Sequence, residues 1–320
     1  MPVYNNNITT LCVLYLFYYT VTPGGCQPME EFHLNPEKIA FLVDSCADLE
    51  ERHRQGRPIY MVPLRISCVD GEFRDGEDIS AGEIYRRLDL GQLPRTSLPD
   101  LLRVAETLDR IRDDGYEKVI VLPLSSGLSG TYNMVRLQCV NRQDLEAVVF
   151  DTLSGSLGIG MVVLQLWEDI LDGMSWETLV RERVPFLLKN TFPYFTVDTL
   201  EYLQKGGRIG KVTALAGTLL NIKPIITFAP DGQLQSIAKV RGRRQAMEKF
   251  ISLVREHLGT HRKFNLAVAN GGAQMEMEQM KADLMATIPG CQHIWDSHLD
   301  ATLSVYIGKG VLGAAIQLLD

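Results

Sequence analysis

The stretch "LPLSSGLSGTY", residues 122–132, follows the apolar run "KVIVL" and precedes "NMVRLQCV". Three serines, one threonine and two glycines stand where a strand gives way to a helix. Such a turn leaves backbone N–H groups unpaired and adds the positive end of a helix dipole. The stretch therefore indicates an anion-binding loop, a nucleophilic serine, or a capped turn that only begins a helix.

The nucleophile interpretation meets an incomplete motif. A hydrolase nucleophile elbow has the pattern G-x-S-x-G, whereas here Gly130 directly follows Ser129. A catalytic triad also needs a histidine, and His293 and His298 are the candidates that follow the loop. A serine hydrolase or acyltransferase that uses Ser126 or Ser129 stays open as the alternative function.

Apolar runs and helical patterns alternate on both sides of the loop. Continuous apolar runs at 38–45, 116–124 and 145–151 are typical of buried parallel strands, and "PIYMVPLRISC" (58–68) is a further strand candidate. Strands that alternate with helices predict a parallel sheet, and ligands bind such sheets beyond the carboxyl ends of the strands.

One helix can be assigned in detail. The segment "SLPDLLRVAETLDRIRDDG", residues 97–115, has helical spacing of its apolar residues and ends at a glycine. Its predicted core-facing residues are Leu101, Ala105, Leu108 and Ile111.

The topology predicts where the polar residues gather. Asp44, the loop 125–131 and the loop after Asp151 each follow a predicted strand, so we expect them to meet at one edge of the sheet. This part of the chain, residues 36–158, is interpreted as a mostly parallel α/β domain.

The second half follows a different pattern. "IKPIITFAPDGQLQSIAKV" (222–240) predicts an antiparallel hairpin about Asp231-Gly232. Residues 159–320 are therefore interpreted as a mixed α/β domain, with the boundary near 156–162. The predicted fold class is α/β with two domains.

Composition limits the function classes. The 320 residues carry a formal net charge of −7, which gives no general attraction to nucleic acid or to an anionic membrane. The six cysteines form no C-x-x-C pair and have no metal-ligand spacing, so we expect reduced thiols, a cytoplasmic location and no bound metal.

The first 33 residues differ from the rest. Residues 8–22 form an apolar and hydroxylated run of 15 residues, shorter than the roughly 17–25 that a spanning helix needs. No Lys or Arg precedes Lys38, so the cationic start of a signal peptide is missing. We interpret 1–33 as an extension outside the fold, with Met29 as an alternative start and a membrane-directed segment as the other hypothesis. No membrane insertion is expected for residues 34–320.

Several motifs resemble one known family in the same order along residues 38–318. The motifs are "LVDSCADL" (42–49), "MVPLRI" (61–66), "RTSLPD" (95–100), "LSSGLSGTY" (124–132), "DTLSGSLGIG" (151–160), "DTLEYLQKGGRIG" (198–210), "KVRGRRQA" (239–246) and "IGKGVLG" (307–313). The chain resembles the DegV family of fatty-acid-binding proteins.

The resemblance implies a carrier without catalytic residues or a cofactor. A long-chain fatty acid would lie in an apolar tunnel at or near the domain interface. By resemblance, Thr96 and Ser126 would hold its carboxylate, with Ser97, Ser129 and the N–H of Gly127 as second choices. The carrier would present the acid to a separate fatty acid kinase, and the acyl phosphate would enter phospholipid synthesis.

The sequence departs from the family motifs at two places, and two arginines lie in motifs that match the family. Tyr306 and Lys309 stand where the family has His and Pro, and Leu98 replaces a Gln. Tyr306 is therefore a further candidate for contact with the ligand. Arg208 and Arg241 lie in glycine-flanked basic motifs, which indicates either solvated helix ends or residues that dock a kinase and offset phosphate charge.

Overall fold

The structure, a computed structural model, describes residues 34–215 and 221–320 together with the backbone of two short strands before them. The predictions for residues 1–33 concern a segment that lies outside the described residues apart from those two strands, which pair antiparallel. In the described part of the chain, no helix is both long and apolar enough to cross a membrane.

The strands are β1 Tyr19–Thr22, β2 Gly25–Pro28, β3 Ile39–Asp44, β4 Ile59–Val62, β5 Arg65–Cys68, β6 Gly71–Arg74, β7 Arg95–Ser97, β8 Lys118–Leu122, β9 Glu146–Val149, β10 Thr191–Thr196, β11 Ile222–Phe228, β12 Leu234–Arg241, β13 Phe264–Gly271, β14 Ile294–His298 and β15 Val311–Leu318. The α-helices are α1 Glu51–Arg54, α2 Ala81–Asp89, α3 Leu101–Asp113, α4 Thr131–Val140, α5 Leu157–Leu171, α6 Trp176–Thr178, α7 Val184–Lys189, α8 Glu201–Lys205, α9 Gly242–Leu258, α10 Gln274–Thr287 and α11 Ala301–Ile307.

The predicted parallel sheet is present in the N-terminal region. Its strand order is β4-β3-β8-β9, and all three pairings are parallel. Every residue of β3 is buried, because helices α3 and α4 cover one face of the sheet and α5 covers the other. The continuous apolar runs therefore predicted this sheet correctly.

The assignment of the buried face of α3 was partly wrong. Leu108 and Ile111 are fully buried as predicted, but Leu101 is 57% exposed and Val104 is buried in its place. The buried side of α3 is formed by Val104, Leu108 and Ile111, which pack in one core with Val135.

The second sheet has six strands in the order β12-β11-β10-β15-β13-β14, and only the β13–β14 pair is parallel. Strands β11 and β12 pair antiparallel about Asp231-Gly232, which confirms the predicted hairpin. Helices α9 and α10 cover one face, and α5 packs on the other through Leu157 and Met161 against Ala267. Because α5 contacts both sheets, the two halves share a core, and the domain division at residue 158 stays a prediction.

A third, three-stranded antiparallel sheet was not predicted. The segment "PIYMVPLRISC" contains two strands in two sheets: β4 ends at Val62, and β5 pairs with β6 and β7. The change of sheet falls at Pro63, which has no N–H to donate, while the N–H of Leu64 donates to Ser45 Oγ at 3.2 Å. The new sheet places Thr96 opposite Ile66.

Candidate functional site

The three predicted polar segments meet at the carboxyl edge of the parallel sheet. Asp44 accepts hydrogen bonds from the N–H groups of Leu124, at 2.7 Å, and Cys46, at 3.0 Å. The N–H of Ser126 donates to Asp151 Oδ1 at 3.1 Å. The strand ends thus hold the serine-rich loop in place, as the topology predicted.

Much of the loop's hydrogen-bonding capacity is used inside the protein. The buried hydroxyl of Ser125 donates to the carbonyl of Gly232 at 2.8 Å and accepts from the N–H of Gly127 at 3.1 Å. Ser129 Oγ lies 2.8 Å from Thr131 Oγ1 at the start of α4. The amide of Gly127, proposed as a ligand donor, is therefore already paired within the loop.

A narrow apolar cavity lies between this loop, the six-stranded sheet and α11. The unfilled space inside it is about 90 Å³, so the cavity is narrow. Ten of its 23 lining residues are leucine or phenylalanine. Examples are Leu124, Leu128, Phe195, Phe228, Leu234 and Leu303.

The mouth of the cavity is polar. Thr96 Oγ1 lies 2.5 Å from the hydroxyl of Tyr306, and Arg208 places its guanidinium carbon 5.1 Å from the centre of the Tyr306 ring. Ser129 completes the group, so four side chains from four distant segments converge on one opening. Hydroxyl donors and a guanidinium can hold a carboxylate there.

The other predicted site residues lie outside the cavity lining. Ser126 and Gly127 line a shallow surface depression that also contains Ser129 and Arg208, and Ser126 is exposed. Ser97 is exposed on β7, and Arg241 is exposed at the end of β12. The structure therefore brings Thr96, Ser129, Arg208 and Tyr306 together at the mouth and leaves Ser97 and Arg241 apart from it.

Buried aspartates hold α11, which carries Tyr306 to the mouth. Asp75 accepts from the N–H groups of Ala301, at 2.9 Å, and Thr302, at 3.0 Å, both in the first turn of the helix. Asp300 caps the same turn by accepting from the N–H of Leu303 at 2.6 Å. These carboxyl groups satisfy the free N–H groups of the helix start and fix its position.

A second set of contacts joins α11 to α5. Asp48 accepts hydrogen bonds from the N–H of Asp300, at 2.8 Å, and from the hydroxyl of Ser156, which precedes α5. Burial raises the pKa of Asp48 and of Asp300, because a buried carboxylate loses its hydration. The aspartates were missed from the sequence, since 252 residues separate Asp48 from Asp300.

The histidines offered for a serine hydrolase do not reach either serine. His298 hydrogen-bonds through its ring to Glu50 and Gln274, both at 2.8 Å, and the ring of His293 stacks on Trp295. Neither histidine lines the cavity or the depression that contains Ser126 and Ser129. The arrangement therefore gives these serines no histidine base among residues 34–215 and 221–320.

The fold and the site define an α/β protein with an apolar cavity that opens at a polar mouth. The chain belongs to the DegV family, described as "Uncharacterised protein, DegV family", which it matches over residues 38–318. It is 35% identical over 280 residues to a DegV domain-containing protein of Clostridium acetobutylicum, a match that covers 88% of this chain and 99% of that protein.

Solved structures show the same fold. A DegV family protein from Thermus thermophilus, described by its fatty acid binding, has a TM-score of 0.82 and 29% identity, with 88% of this chain and 100% of that chain covered. DegV from Bacillus subtilis, described as a fatty acid binding protein, has a TM-score of 0.79 and 27% identity at 88% and 100% coverage.

Proposed function

We propose that this protein binds one long-chain fatty acid, with the acyl chain in the cavity and the carboxylate at the mouth. The observation that supports the proposal most directly is the pairing of a leucine- and phenylalanine-lined cavity with the Thr96–Tyr306 hydroxyl pair at its opening. The fatty acid binding of the relatives from Thermus thermophilus and Bacillus subtilis agrees with it.

The acyl chain and the carboxylate of the fatty acid make different contributions to binding. Each buried CH₂ contributes about 0.8 kcal/mol, so a long chain supplies most of the affinity. Each hydrogen bond to the charged carboxylate contributes roughly 1.5–3 kcal/mol. The hydroxyls of Thr96, Ser129 and Tyr306 therefore orient the acid, and Arg208 supplies the compensating charge.

Removing the hydroxyl pair should weaken binding without unfolding the protein. Thr96→Val combined with Tyr306→Phe is expected to raise the Kd for hexadecanoic acid by at least tenfold, because the carboxylate loses two donors. Ser97→Ala is the matched control, since Ser97 is the exposed neighbour on β7. Calorimetric titration of delipidated protein measures all three Kd values.

The same preparation separates the carrier from the hydrolase. Denaturing mass spectrometry of the purified protein should release a free fatty acid in a one-to-one ratio and leave the chain mass unchanged. An acylated serine, or an unchanged Kd in the double variant, contradicts the proposed site.

We further propose that the loaded protein presents the exposed carboxylate to a fatty acid kinase in the cytoplasm. Arg208 reaches across the mouth, where its Nε donates to the carbonyl of Leu128 at 3.4 Å. A guanidinium there offsets the charge that builds up when two anionic groups react. Arg241 is exposed at the end of β12, and its one hydrogen bond to a side chain among the described residues comes from its backbone N–H, which leaves the guanidinium suited to a docking contact.

Replacing the two arginines should therefore change different kinetic parameters. With saturating lipid-loaded carrier, Arg208→Ala is expected to lower acyl phosphate turnover about tenfold, whereas Arg241→Ala is expected to raise the KM for the carrier. Kinase assays at increasing carrier concentration, with lipid content measured in parallel, give both parameters. Unchanged kinetics in both variants would mean that Arg208 and Arg241 are solvated surface charges with no role in the kinase reaction.

A further inference from the structure

Thr302 is a buried hydroxyl residue without a partner in the wall of the cavity. The residue is 1% exposed, and its Oγ1 has no hydrogen-bond partner among the described residues. Its backbone N–H is bound by Asp75, so α11 holds the residue in place. A buried hydroxyl left unpaired costs roughly 1–3 kcal/mol, which a ligand group can recover.

Helical spacing places Thr302 on the cavity side of α11. Thr302, Leu303, Tyr306 and Ile307 all line the cavity, at the i, i+1, i+4 and i+5 positions of one helix face. Ala301 and Val305 lie on the other face and pack against the small sheet and α2. Leu303 and Ile307 are apolar, so Thr302 interrupts the apolar part of this wall.

The other lining hydroxyls differ from Thr302. Tyr306 is paired with Thr96, and Ser156 donates to the buried carboxyl of Asp48 and keeps its lone pairs for accepting. The hydroxyl of Tyr194 is also unpartnered, but its ring lies 5.9 Å from that of His257 in the core under α9, on the opposite face of the sheet.

We propose that Thr302 recognises a hydroxyl group on the acyl chain, so that the cavity selects hydroxylated fatty acids over plain ones of equal length. This inference rests on the proposed fatty acid binding and adds the class of acid. Thr302 precedes Tyr306 by four residues, or about 6 Å along the helix axis. The recognised hydroxyl therefore lies in the carboxyl-proximal part of the chain and not near the methyl end.

The experiment compares four acids of one length: hexadecanoic acid and its 3-hydroxy, 6-hydroxy and 16-hydroxy derivatives. The Kd of each is measured by calorimetry for the delipidated wild type and for Thr302→Val, which removes the hydroxyl and keeps the shape. We expect the preference for the 3-hydroxy or the 6-hydroxy acid over the plain acid to fall about tenfold in the variant, the size of one hydrogen bond. The ratio for the 16-hydroxy acid should stay unchanged.

Three further variants serve as controls for this experiment. Thr302→Ser should restore the preference, and Thr302→Ala serves as a second hydroxyl-free variant if the valine fails to fold. Thr107→Val is the matched control, because Thr107 lies half-buried on α3 outside the cavity wall and donates to the carbonyl of Arg103.

The outcomes separate this inference from the proposed function. If the plain acid binds and the ratios for both the 3-hydroxy and 6-hydroxy acids are equal in wild type and variant, the role of Thr302 is wrong while fatty acid binding stands. If the wild type binds none of the four acids, the proposed function fails and this inference fails with it.

Discussion

Replacing Gly127 with alanine is expected to lower the free energy of unfolding by about 2–3 kcal/mol, because the new methyl group has no room. A Cβ at Gly127 would lie 2.5 Å from the carbonyl oxygen of Asp231 and 2.5 Å from the carbonyl carbon of Gly232. Both neighbours are backbone atoms of the β11–β12 turn, which cannot rotate away as a flexible side chain could.

The clash acts at the contact between the two larger sheets. The hydroxyl of Ser125 donates to the carbonyl of Gly232, and Lys211 forms an ion pair with Asp231 at 2.7 Å. Moving the turn outward to admit the methyl group would break the first contact and leave a buried hydroxyl unpaired. The same movement would open the wall that Leu128 and Leu234 give to the cavity.

Urea unfolding followed by circular dichroism measures this effect. Gly82→Ala is the matched control, because a Cβ there meets only Ser80 Oγ at 3.8 Å and the residue lies within α2. That variant should be neutral or slightly stabilising. An equal free energy of unfolding for Gly127→Ala and wild type would mean that the turn does not dock on this loop.

Local patterns predicted the sheets better than they predicted the connections between them. The apolar runs that became β3 and β8 and the Asp-Gly turn between β11 and β12 are short-range signals, and all were read correctly. The split at Pro63 was missed, since an unbroken apolar pattern does not tell which sheet a strand joins. The pairing of β5 with β7 depends on contacts about 30 residues apart.

Short sequence patterns predicted the residues of the candidate site less well than they predicted the sheets. The Thr96–Tyr306 contact joins residues 210 positions apart, and the family resemblance, not the spacing, indicated both. The serine-rich loop was identified from its composition, but composition did not show that Ser129 lines the cavity while Ser126 faces solvent. Those differences depend on side-chain direction at a turn, which only the packed structure fixes.

The protein is also expected to lose stability as the pH rises from about 4 to above 7, because buried aspartates hold protons that the unfolded chain would release. Burial raises the pKa of Asp44 to about 7, against an ordinary value near 4. Burial also raises the pKa of Asp48 and Asp300, and the nearby carboxylate of Asp75 adds to the shift of each.

The sign follows from the proton count. Between pH 4 and 7 the folded protein binds more protons than the unfolded chain, so its stability falls with rising pH by about 1.4 kcal/mol per pH unit for each such group. His53 and His257 act in the opposite direction below about pH 6.5, because burial lowers their pKa values. A variant must therefore be compared with wild type at each pH.

Asp300→Asn isolates the aspartate contribution. The asparagine keeps the Oδ1 acceptor that caps Leu303, and its amide replaces Oδ2, which has no partner among the described residues. The variant should gain at least about 1–2 kcal/mol of stability relative to wild type at pH 8 compared with pH 5, since it removes one buried ionisation. Asp89→Asn, at an exposed position of α2, is the control and should change stability equally at both pH values.

Urea unfolding at pH 5 and pH 8 gives all the required differences. A gain confined to Asp300→Asn at pH 8 would show that the buried carboxyl group of Asp300 binds a proton in the folded protein that is lost at this pH. Because α11 carries both Thr302 and Tyr306, fatty acid affinity should follow the same direction and weaken as this cluster ionises. If Asp300→Asn and Asp89→Asn change the free energy of unfolding equally at both pH values, the carboxyl group of Asp300 is already ionised in the folded protein at pH 5.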